Sequence, residues 1–305
     1  MMSKTIFSLT VLFCLVANTG FAQSNLLNAK TPDQIGKRTA AQDSLDNDKP
    51  LPYGYVGDRD VLFGRKIWET IDLNQRINYP LYYPIEELSA DRRPLYQVLM
   101  TAIRAGKITE VYDSSYFTTK KTLKDIEASL RSTDTSDAGI EEYNSDVVSY
   151  RKGKKTISPE YIITTEIDAS DVSAYDIVGF WYFDKRQGEL KYRLLGIAPV
   201  VVDVFSKKDQ SKEQEYNPSF WVYFPAARDV LHQAKAFNDR NSAIPIDFDH
   251  LLNARRFSGV VTKEENVYGD RSIDAYLKDN AQMQLLESER VRDKIRNFEQ
   301  DMWNY

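Results

Sequence analysis

The stretch Ile177-Val178-Gly179-Phe180-Trp181-Tyr182-Phe183-Asp184-Lys185-Arg186-Gln187-Gly188-Glu189-Leu190-Lys191-Tyr192-Arg193-Leu194-Leu195-Gly196-Ile197 decides the fold class. Two runs rich in aromatic and branched residues flank Asp184-Lys185-Arg186-Gln187-Gly188, a polar loop whose glycine can supply a positive backbone torsion. Such side chains suit a pleated, half-buried surface, and so short a loop joins antiparallel neighbours. Comparable runs recur at 161–167, 200–205 and 220–224, so the simplest arrangement is an antiparallel meander. Every second aromatic in 180–183 and 220–224 must face the core. The remainder are open to burial, to sugar stacking or to protein contact.

Upstream the period changes from two to that of a helix. Asp91 as N-cap, Pro94 in the first turn, Leu95, Val98, Leu99, Ala102 and Ile103 at three-four spacing, and Gly106 as the stop predict one amphipathic helix. A weaker one covers 123–130. Residues 132–146, rich in Ser, Thr, Asp and Glu, read as an acidic linker or surface loop. From Ser272 the pattern is helical again, and Val291, Ile295, Phe298 and Met302 form a narrow seam suited to a partner helix or to the protein's own body. The expected fold is α+β: an antiparallel meander sheet packed with helices, an extended N-terminal arm and a C-terminal helix. Its parts are a signal peptide (1–22), an arm (23–58), a mainly helical portion (59–131), the acidic linker (132–146), a strand-rich α+β portion (147–271) and a helical tail (272–305).

Residues 65–84 combine a helix-like apolar face with an aromatic segment bracketed by proline. Read as a helix, Ile67, Ile71, Leu73 and Ile77 point inward with Trp68 beside them. Pro80 and Pro84 then impose an extended path on Leu81, Tyr82 and Tyr83. The segment is either a lid over the core or a protein-binding surface, and the contact candidates are Trp68, Tyr79, Tyr82 and Tyr83. In the arm, Tyr53 and Tyr55 extend the same candidate set. That arm is either a disordered leader or a segment that orders on a neighbour.

Lys4, the apolar run 6–16 and the small residues before Gln23 form a secretory signal peptide cut after Ala22. Cys14, the one cysteine, lies inside it without the small residue that precedes a lipidated cysteine, so the mature chain has neither a lipid anchor nor disulfide chemistry. No later window resembles a membrane span. The formal charge of −5 gives nucleic acid no footing. No phosphate loop, nucleophile elbow, metal-ligand spacing or cofactor motif is present. Of the two histidines, His250 follows Asp247-Phe248-Asp249 in what reads as a helix start, and His232 has no second ligand four residues away. Catalytic, cofactor-binding and metal residues are therefore expected to be none.

Several pieces together resemble the GldN/PorN family: Trp68-Glu69-Thr70-Ile71-Asp72-Leu73 through Asn78, Gly196-Ile197-Ala198-Pro199-Val200, Trp221-Val222-Tyr223-Phe224-Pro225 with Ala227-Arg228, and Arg255-Arg256-Phe257-Ser258 followed by Lys263-Glu264-Glu265-Asn266-Val267-Tyr268. The resemblance implies a non-enzymatic periplasmic subunit of type IX secretion and gliding motility. It also implies an outer-membrane lipoprotein partner of the GldK/PorK kind, contact with the periplasmic part of the secretion motor, and self-association in a ring. It defines no catalytic or ligand residues. A periplasmic glycan or peptidoglycan binder using exposed aromatics is the alternative.

Overall fold

The computed structural model describes residues 49–86, 92–151, 153, 155–208, 214–238, 246–278 and 280–303. The expected signal peptide, the arm before residue 49 and the N-cap at Asp91 lie outside them. The strands are β1 (Val61–Asp72), β2 (Val111–Tyr112), β3 (Arg131–Thr135), β4 (Ile162–Glu166), β5 (Val172–Asp184), β6 (Glu189–Val202), β7 (Tyr216–Pro218), β8 (Trp221–Tyr223), β9 (Lys235–Ala236), β10 (Ile246–Asp247) and β11 (Val260–Glu264).

The hairpin forms as read. β5 and β6 pair from Val172↔Val201 to Asp184↔Glu189, and Gly188 takes φ +65° in the turn. They are the middle of an antiparallel sheet ordered β11-β1-β5-β6-β8-β2, with β7 also on β6. β6 runs through Pro199 as far as Val202, so the runs 189–197 and 200–202 are one strand, and Val204–Lys208 is helical. The 161–167 run stays out of this sheet: β4 pairs with β3 in a separate two-stranded ribbon.

Residues 61–72 correct the helical reading, because β1 pairs with β5 along almost its whole length and with β11 on its other side. Ile67 and Ile71 are four apart, a spacing that places side chains on one face of a helix and equally on one face of a strand. Val61, Ile67, Thr70, Ile71 and two aromatics favour the strand, and pairing with β5 decides it. Ile77 consequently ends exposed. The portion expected to be mainly helical thus opens with a central strand. Residues 132–146 are likewise not a loop: they complete β3 and form the helix Asp137–Ser145, capped by Ser136. Ser, Thr and Asp at strand edges and helix caps resemble loop composition.

The helix Leu95–Arg104 starts later than a cap at Asp91 predicts, because Pro94 is extended and is itself the N-cap, and it buries Leu95, Leu99 and Ile103; Leu123–Leu130 carries a capping box from Thr122 and Asp125. The first joins Phe224–Gln233 and Phe248–Asn253 over one sheet face, where Leu99, Ile103 and Leu231 meet Ile177 and Leu194. Trp68, Val178, Ala198 and Trp221 make a smaller core on the other face. The terminal helix Ala281–Trp303 spends its seam on the protein itself: Val291 and Ile295 pack on Ile67 and Val261, and Phe298 stacks on Phe63 at 4.5 Å. Among the described residues, no helix is long and apolar enough to cross a membrane.

Within the sheet, Thr70 Oγ1 donates to Asp176 Oδ1 at 2.6 Å, and burial pushes the Asp176 carboxyl above its usual range. A carboxyl raised on folding supports the fold most below its unfolded pKa of about 3.9, and that support is lost as pH rises through the folded value. Asp176→Asn is therefore expected to raise Tm at pH 7 and to lose this advantage by pH 3.5, as thermal unfolding at the two pH values would register.

Candidate interaction surface

Leu73 and Asn78 set the position of the tyrosines. Asn78 is fully buried; its Nδ2 donates to the carbonyls of Asp72 (2.7 Å) and Ser258 (2.9 Å), and its Oδ1 accepts from Ser258 N (2.8 Å). This clamp starts the one-turn helix Tyr79–Tyr82, with Pro80 in its first turn and Leu81 buried beneath it. Residues 79–82 are therefore helical rather than extended, since proline's fixed φ and missing donor suit a helix start. Only Tyr83, preceding Pro84, is extended.

With Leu81 turned inward, the three tyrosines face out as a cluster. Tyr83 meets Tyr79 edge-on at 5.3 Å and Tyr82 at 4.9 Å. Tyr82 Oη donates to Ser170 O at 3.3 Å, and its pKa is raised by burial, then by Tyr83, Asp168 and Asp171. They line one side of a groove of about 600 Å³ whose other parts include Asn74, Tyr216 and the ion pair Lys207–Asp171, 2.6 Å apart. Tyr79, Tyr83 and Tyr216 are exposed. Rigid rings with hydroxyl tips, beside a charged pair, can bind a polar partner surface at low entropic cost.

The other candidates are not part of this cluster. Trp68 is 5% exposed on the opposite side of the sheet, with Lys263 Nζ 3.8 Å above its ring and Tyr116 at 5.7 Å. It belongs to the core because the strand, unlike the expected helix, turns it onto Val178 and Ala198. Tyr53 is docked on the protein's own body, its ring between Arg228 (4.2 Å) and Arg193 (4.7 Å) and its hydroxyl donating to Asn253 at 2.7 Å. Burial raises its pKa to about 12. The end of the arm thereby rests on the protein's own body at Tyr53, while Tyr55 is 86% exposed.

Among the described residues, each of the three buried carboxylates is held by an arginine. Glu69 accepts from Arg255 Nη2 at 2.9 and 2.7 Å, Asp249 from Arg228 Nε at 2.7 Å and Nη2 at 3.0 Å, and Asp184 from Arg186 N at 3.0 Å. Among the described residues, His232, Asp247 and Asp249 could bring ligand atoms within 4.8 Å of one another. Asn253 also donates to Asp249 at 2.8 Å, and Asp247 caps the next helix through His250 N at 2.6 Å while its other oxygen lies 3.6 Å from His232 Nδ1.

Tyr216, Asp171 and Lys207 had no signal in the sequence, because they reach the groove only through the β6–β7 pairing, the turn before β5 and the helix after β6. The resembling pieces, by contrast, contribute the long-range staples, namely Glu69 with Arg255 and Asn78 with Ser258. No curated protein matches the chain. The family model described as gliding motility associated protein GldN matches residues 56–304, from just after the docked Tyr53 through the sheet and groove to the terminal helix, and the chain belongs to that family.

Proposed function

We propose that this chain is a non-enzymatic structural subunit of the periplasm that binds an outer-membrane lipoprotein of the GldK/PorK kind and builds a ring with it. Family membership makes it a protein associated with gliding motility and type IX secretion. The proposal adds export through the signal peptide cut after Ala22, contact with the periplasmic part of the secretion motor, and association between copies. The observation that carries it is the tyrosine-lined groove: Tyr79, Tyr82 and Tyr83 are held rigidly around the buried Leu81 and Asn78, so little freedom is lost on docking.

Changing Tyr82 and Tyr83 together to alanine is expected to weaken co-purification with the lipoprotein by roughly 30-fold, about two hot-spot kcal/mol, without unfolding the chain. Undiminished capture by a folded double variant would sink the site. A second reading has support in the same groove, since tyrosine rings beside Asn74, Asp171 and Gln214 also suit a hydroxyl-rich glycan. Sedimentation with purified cell-wall sacculi separates the two: the adaptor stays in the supernatant and a glycan binder pellets.

A further inference from the structure

The loop after β11 displays two large apolar side chains on a stiff support. Val267 is 92% exposed and Tyr268 82%. Asn266 and Asp270 are turned inward to hold them there. Asn266 N donates to Asp270 Oδ1 at 3.0 Å, Tyr268 N donates to Asn266 Oδ1 at 2.9 Å, and Asp270 Oδ2 accepts from Tyr116 at 2.9 Å. Gly269 and Asp270 close the turn at φ +75° and +56°. Scattered single apolar residues on a surface need no explanation, but an adjacent pair on a loop fixed by three side-chain hydrogen bonds is preorganised for a contact.

A matching recess lies elsewhere on the chain. Between the helices Leu95–Arg104 and Phe224–Gln233 is a slot of about 300 Å³ with Val98, Ala102, Ala105, Val230 and Ala234 in its lining and Lys107 on its rim. Small side chains let a ring approach the helix backbones, and the lining includes cations and no acid. The exposed charge beside the loop tip is of opposite sign, Glu265, while Arg271 is turned back onto Ala275 O at 2.7 Å. The two features lie on opposite sides of the sheet. The slot's helices cover the face of Ile177 and Leu194, whereas the loop is tied through Tyr116 and Lys263 to the face of Trp68 and Val178.

We infer that the Val267–Tyr268 tip of one copy inserts into the slot between the Leu95–Arg104 and Phe224–Gln233 helices of a second copy. The contact joins two different surfaces, so it is head-to-tail and propagates into a ring or filament instead of stopping at a dimer. It deepens the self-association proposed above and rests on it.

Thiol cross-linking tests the contact in the full chain carrying Cys14→Ser, because Cys14 is the one native cysteine. Val267→Cys, which keeps the Tyr268 ring, and Ala105→Cys are placed in separate, differently tagged copies, mixed, and treated with a short bismaleimide. Both positions are exposed, so neither change removes core packing. The expected result is a covalent mixed dimer that exceeds either like-with-like product at least tenfold, and a loss of roughly 30-fold in self-association for Tyr268→Ala. Association that persists with like-with-like links, or with none at these positions, overturns the tip-in-slot contact and leaves self-association standing. A chain that stays monomeric at every concentration tested overturns both, while lipoprotein capture by the same preparation would leave the partner-binding reading intact.

Discussion

Glu69→Ala is expected to cost about 3–4 kcal/mol of folding stability, measured as a shift in the urea midpoint at constant slope. The carboxylate is 1% exposed in the middle of β1, and both its oxygens accept from Arg255 Nη2. Removing it leaves a guanidinium enclosed by Tyr192 at 4.3 Å and by Trp181 and Phe257 at 5.2 Å, where water can replace the lost partner only in part. Aromatic faces attract the cation but do not accept its in-plane hydrogen bonds. Replacing both partners by apolar residues, Glu69→Leu with Arg255→Met, is expected to recover most of the loss, since the penalty comes from the unpaired charge and not from the absence of the pair. A single-variant cost under about 1 kcal/mol would show the cage to be wet and the account wrong.

Leu99→Ala should destabilise the chain by about 2–5 kcal/mol, read from the same unfolding curves. Leu99 is completely buried in the large core, on the helix that covers Ile177 and Leu194. Its removal takes away the transfer free energy of the missing methyl groups and leaves a cavity that closes only as far as helix and sheet can shift. Val98→Ala, half-buried one residue earlier, serves as the control and should cost clearly less.

These two residues divide what was legible from what was not. Leu99 stands in a three-four apolar pattern ended by a glycine, and the helix formed over that pattern, starting at Leu95 instead of just after Asp91. The same holds for the hairpin at Asp184–Gly188, the helix Leu123–Leu130 with its capping box, and Asp247 as a helix cap. Glu69 is one of many glutamates in the sequence, and its partner lies 186 residues away behind a left-handed turn at Arg255, φ +50°, a conformation more often taken by glycine. Nothing local to either residue announces the pair. The candidate surface divides in the same way. Tyr79, Tyr82 and Tyr83 could be selected from the proline-bracketed segment and do cluster, whereas Trp68 and Tyr53 are equally aromatic and went inward. Composition is the same in both groups, and only the neighbours differ.

By itself the sequence determined the α+β class, the central hairpin, the principal helices and the family, because each depends on interactions within a few residues or on motifs that survive as strings. Only the tertiary structure decided that 61–72 is a strand, that the acidic stretch is folded, that the terminal seam belongs to the body, and which tyrosines remain outside. In β1 the apolar spacing satisfies helix and strand alike, so the local terms nearly cancel. The deciding free energy is the pairing with β5 and β11 and the burial of both faces of the strand, which exists only once distant parts of the chain have met.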